Sequence, residues 1–106
     1  MLNKEQMEAL DSFKASLILA EPEKHLSLPL KSLWYDAKGN WDKAHDFVDQ
    51  LPGADAAWVH AYLHRKEGDI WNADYWYSKA KKSRPNTSLE EEWESLLRYF
   101  IKYPAL

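Results

Sequence analysis

Apolar residues recur at intervals of three and four over most of the chain, the period of a helix that buries one face. From Lys4 to Ala20, Met7, Leu10, Phe13, Leu17 and Ile18 form such a stripe. Glu21-Pro22 ends it, because proline disfavours helical backbone in the residue before it. Pro29 suits the first turn of a second helix, where a missing N–H costs nothing, and Leu30, Leu33, Trp34 and Ala37 carry that helix to Gly39. Asn40 is a good N-cap for a third helix, with Trp41, Ala44, Phe47, Val48 and Leu51 inward and Pro52-Gly53 as its stop. From about Asp55 to Glu67 a fourth helix is apolar over much of its girth (Ala57, Trp58, Val59, Ala61, Tyr62, Leu63), as expected of a helix buried between neighbours. Gly68 closes it, and Asp69 caps a fifth helix with Ile70, Ala73, Trp76, Tyr77 and Ala80 inward. After the linker SRPNTS, a Ser88/Glu91 capping box opens a sixth helix, whose stripe is Leu89, Trp93, Leu96, Leu97, Phe100 and Ile101. No alternating apolar/polar run of useful length predicts a strand. The pattern predicts an all-α protein of about six helices in antiparallel hairpins.

Two stretches read alike. GNWDKAHDFVDQL begins at Gly39 and GDIWNADYWYSKA at Gly68, 29 residues later, with Ala44 falling on Ala73. A glycine at a helix end, then Asn or Asp, then a new periodic run is how a tight helix-turn-helix is written, and two of them suggest a helical repeat. From Ala57 to Pro85 the chain resembles a tetratricopeptide repeat: Ala61, Gly68-Asp69, Ala73, Tyr77, Ala80 and Pro85 stand where that family places its small, turn, aromatic and proline residues. Residues 28 to 52 give a weaker copy, with Val48 in place of the aromatic and Leu51 in place of the second Ala. The spacing of 29 is shorter than the family's ~34 because the turn at Pro52-Gly53 is tight. The chain is also similar to a group of small uncharacterised proteins that share a HAYLHRxEGD…NAxYWY run, here His60 to Asp69 and Asn72 to Tyr77.

The resemblance implies a short right-handed stack that binds a peptide or protein in a groove lined by the first helix of each hairpin. By position that lining is Leu33 and Asp36 from one hairpin, and Trp58, Tyr62 and Arg65 from the other. The family's carboxylate clamp uses Lys and Asn at such places. Trp58 and Tyr62 stand there instead, so the face suits an apolar or aromatic peptide with an acidic end. A stack this short also makes self-association an open alternative. The first helix is expected to cover the open end of the stack.

At 106 residues the chain has room for one domain. It divides into an N-terminal capping helix over 1–21, a first hairpin over 28–51, a second over 55–83 and a C-terminal helix over 88–103. The net charge of -3 offers no basic surface for nucleic acid, and the Lys79, Lys81, Lys82, Arg84 cluster falls at the end of a helix, where cations offset the dipole. No apolar stretch approaches the roughly 20 residues a bilayer span needs, and the start of the chain lacks the form of a secretory signal. With no Cys there is neither a disulfide frame nor a thiolate site, and a cytoplasmic location is the expectation. Six Trp and six Tyr fill a small core efficiently but are also the residues of interface hot spots.

His60 and His64 are at i, i+4, so their rings share a helix face; His45 lies on the preceding helix and Glu67 continues the stripe from His64. Three His and a carboxylate could hold zinc. The pattern HExxH is absent, and the same residues read better as histidines that pair with Asp or Glu or hydrogen-bond Tyr and Trp at a helix crossing. Arg65, Glu67, Asp69 and Asp74 read either as a polar pocket or as a network that pins the turn at Gly68. No phosphate-binding glycine loop or nucleophile elbow is present. No cofactor is expected. The leading expectation is a non-enzymatic protein- or peptide-binding scaffold; the alternative is a small-ligand or metal-dependent enzyme built on His45, His60, His64 and Glu67.

Overall fold

Five of the six α-helices, all but the fourth, begin where a side chain satisfies free N–H groups of the first turn. In the computed structural model, which describes residues 1–104, Asn3 and Gln6 form a reciprocal cap on α1 (Lys4–Ala15). Residues 105 and 106, the last two of the domain expected over 1–106, lie outside the described residues. A 3-10 turn, Ser16–Ile18, follows α1. Ser27 caps α2 (Leu28–Ala37), with Pro29 in its first turn. Asn40 caps α3 (Trp41–Asp49), and α4 (Ala54–Glu67) follows Gly53. Asp69 caps α5 (Ile70–Lys79), and Ser88 with Glu91 boxes the start of α6 (Leu89–Lys102). The protein is all-α, with no strand among the described residues.

Two helix ends are closed in the same way. The Gly39 N–H donates to Asp36 O and the Asn40 N–H to Tyr35 O; 29 residues on, the Gly68 N–H donates to Arg65 O and the Asp69 N–H to His64 O. This double bond closure needs a left-handed residue, and Gly39 and Gly68 supply it at φ 83° and 90°. A Cβ on Gly68 would meet nothing within 4 Å, so the residue is glycine for its backbone angle. Gly68 therefore does not mark a close approach of the two helices, although it is small. Ala61, Ala73 and Ala80 do mark one: all three are buried, and Ala61 and Ala73 pack with Tyr77 where α4 crosses α5.

Several local expectations shift: Met7 and Ile18, read as part of the inward stripe of the first helix, are exposed, Ile18 almost fully. α1 ends at Ala15 rather than Ala20, because Ser16 turns its hydroxyl back onto Phe13 O and also accepts the Trp34 indole N–H, tightening the last turn. α3 stops at Asp49 rather than Leu51. Ile70, expected inward, is exposed at the first position of α5.

The main core joins Leu10 and Phe13 of α1, Leu30, Leu33 and Trp34 of α2, Val59, Tyr62 and Leu63 of α4, and Leu96, Leu97 and Phe100 of α6. α6 packs against both α2 and α4. α1, expected at the open end of the stack, lies along α6, where Phe13 meets Trp93. Among the described residues, no helix is long and apolar enough to cross a membrane.

Candidate functional site

The five residues expected to line a binding groove do share one face of the fold, and that face is covered by α6. Leu33 is fully buried and its carbonyl accepts the Trp93 indole N–H, so it belongs to the core and not to an accessible lining. Trp58 donates its indole N–H to Glu92 and meets Tyr99 edge-on. Arg65 donates to Glu92 at 2.8 Å and to Thr87 O. Glu92 itself is only 2% exposed and also accepts the Tyr77 hydroxyl at 2.6 Å. A buried carboxylate is tolerated when its lone pairs are this fully engaged. Burial, followed by the bond to Glu92, raises the Tyr77 pKa well above its usual value and keeps the hydroxyl a donor. The helix that covers these residues, α6, is acidic and aromatic and belongs to the same chain.

Asp36 forms a second buried node. It accepts from the Tyr62 hydroxyl at 2.7 Å and from Lys66 Nζ at 2.8 Å. Burial first, and Asp36 second, raise the Tyr62 pKa. Asp36 and Tyr62 form part of the floor of a cleft of about 560 Å³, whose walls include Leu17, Lys66, Leu89 and Trp93. This cleft is bordered by residues of α2, α4 and α6.

The polar cluster expected around Gly68 does not form as a unit. Arg65 turns to Glu92, while Asp74 pairs with Arg84 at 2.9 Å and Asp69 caps α5. The better partners lie in the segment after α5, which the sequence order around the turn does not reveal.

The histidines do come together. His60 and His64 stack on one face of α4 with ring centroids 4.9 Å apart, and His45 of α3 stands edge-on to both. His45 Nε2 and His60 Nε2 are 2.9 Å apart. Glu67 Oε2 accepts from His64 Nδ1 at 2.6 Å. Trp41 stacks on His45, and Trp76 stacks on His60 with centroids 3.9 Å apart. Burial, reinforced by His45 and His64, lowers the His60 pKa from 6.5 to about 4, against a small opposing pull from Asp49. His60 is therefore a neutral imidazole at pH 7, able to donate or to ligate.

One exposed feature is not part of the apolar stripe of α5. Trp71 is 82% exposed and Tyr75, one turn on, is 47% exposed. The other five tryptophans are buried or half-buried. Two aromatics at i, i+4 on the side of a helix opposite its core stripe were the available sequence signal. Compared with known proteins, the chain matches no family model, no curated protein and no solved structure.

Proposed function

We propose that the protein is a non-enzymatic interaction module of tetratricopeptide-like helical hairpins, working in the cytoplasm, and that its docking face is the outer side of α5. The reading rests on Trp71: a tryptophan this exposed, flanked by Tyr75, is an unfilled hot spot of the residue types that dominate interfaces. The groove residues Trp58, Tyr62 and Arg65 contribute by holding α6 and, with it, the shape of the module.

The partner is a second copy of the chain. Asp69 caps the N-terminal end of α5 and Asp74 stands at its middle, while Lys79 ends it and Lys81 and Lys82 follow just beyond. Two such helices related by a two-fold axis run antiparallel, which sets acid beside base and opposes their dipoles. Full burial of one large aromatic stabilises by about 3 kcal/mol, and association costs on the order of 4–15 kcal/mol. Trp71 is 82% and Tyr75 47% exposed, so two copies of the patch gain on the order of 8 kcal/mol on burial, enough only for a weak dimer, on the order of millimolar.

Sedimentation velocity over a range of chain concentrations tests this. Wild type is expected to shift from monomer to dimer. Trp71→Ser is expected to remain monomeric with unchanged thermal stability, since the side chain is largely in solvent. A wild-type monomer at every concentration, or a Trp71→Ser protein that dimerises equally well, would sink the reading.

A further inference from the structure

The three imidazoles at the α3–α4 contact have the placement of metal ligands. One ring nitrogen from each of His45, His60 and His64 lies within 4.8 Å of the other two. Two nitrogens bound to one zinc ion at about 2.0–2.1 Å stand roughly 3.3 Å apart. The 2.9 Å separation of His45 Nε2 and His60 Nε2 is close to that, so an ion enters with only a small rotation of the rings.

The surroundings fit as well. Metal-bound histidines usually donate their second ring N–H to a carboxylate, which fixes the tautomer and raises ligand basicity. Glu67 does this for His64: with the proton held on Nδ1, the Nε2 lone pair is the one left to donate. Glu67, grouped with the three histidines as a candidate ligand, here bonds the far nitrogen of one of them. Trp41 stacks on His45 and meets His64 edge-on, and Trp76 stacks on His60, so the rings are ordered in advance of any ion. His45 is half-buried, with a side chain 22% exposed, which provides a way in. Three imidazoles gathered without an ion satisfy one mutual hydrogen bond, between His45 and His60, and that bond does not require the third ring.

We propose that His45, His60 and His64 form a binding site for a divalent transition metal ion, zinc by its preference for nitrogen ligands in tetrahedral array. The fourth position is left for water or for the carboxylate of Asp49, whose Oδ1 is 3.8 Å from His45 Nε2. His45 belongs to the first hairpin and His60 and His64 to the second, so the ion would cross-link the two. The site shares no residue with the α5 face, and either proposal can fail without the other.

The test uses the untagged full chain, stripped with a chelator and titrated with zinc chloride by calorimetry. One ion per chain is expected, with a dissociation constant on the order of micromolar or tighter and a raised melting temperature. Cobalt(II) in place of zinc is expected to give the visible absorption of a tetrahedral site and to quench tryptophan emission through Trp41 and Trp76. His45→Gln should weaken binding by more than about 100-fold, and Glu67→Gln by about 10–100-fold. Wild type that binds no stoichiometric zinc at tens of micromolar, or His45→Gln that binds as tightly as wild type, would overturn the proposal. Should a variant fail to fold, the stoichiometry and the cobalt spectrum of wild type still decide it.

Discussion

His60 carries the clearest electrostatic consequence at the scale of a single residue. Its pKa is about 4 in the folded chain, against 6.5 in the unfolded one, so the unfolded state takes up its proton first as pH falls. The stability this contributes is complete above pH 6.5, declines as pH drops below that value, and is lost once the pH passes below about 4. The size is on the order of 3 kcal/mol. Burial sets most of it; His45 on α3 and His64 on α4 add to it by opposing the charge, and Asp49 on α3 favours the charge. Urea unfolding of the metal-free chain between pH 4 and 7 should show this slope, and His60→Gln should lack it; parallel profiles for the two proteins would refute the assignment. The i, i+4 spacing of His60 and His64 was plain in the sequence, as was the nearness of His45 once a tight hairpin packing was inferred. The direction of each ring was not, because it is set by Trp41, Trp76 and Glu67, which lie on three different helices.

Among the elements, α6 differs most from the expectation. Its boundaries were legible, since Ser88 and Glu91 form a local cap and the stripe from Leu89 to Ile101 needs no tertiary knowledge. Its place was not. Within Glu90-Glu91-Glu92 nothing local distinguishes the third carboxylate, and its burial is decided by Trp58, Arg65 and Tyr77, which lie 15 or more residues away. Glu92→Ala would leave the Arg65 guanidinium, 15% exposed, without its partner and the Tyr77 hydroxyl without its acceptor. Removing one member of a buried pair costs about 3–5 kcal/mol. Chemical denaturation should report a loss of that size, and Glu91→Ala on the exposed side of the same turn should lose only the cap, about 1 kcal/mol. Equal losses for the two would show that Glu92 is not the anchor.

For the whole molecule, the helical content and the hairpin turns were legible because both are written in nearest-neighbour chemistry: caps, periodic stripes, and glycines at φ 83° and 90°. Non-local closure was not, and it changes how the chain should melt. A stack of hairpins touching only in series can fray from its ends. Here α6 contacts α1, α2 and α4 at once, so losing any of these exposes the core shared by all. Thermal unfolding followed by far-ultraviolet dichroism and by tryptophan fluorescence should give coincident curves, the mark of a two-state transition. Two separated midpoints would mean that the hairpins unfold independently. The short segment from Ala80 to Ser88 ties α6 to the face it covers. A tether of that length keeps a binding element at an effective concentration on the order of millimolar. A loose peptide that bound the bare face no more tightly than α6 does, each at about micromolar affinity, would need to reach roughly millimolar levels before it displaced half of α6.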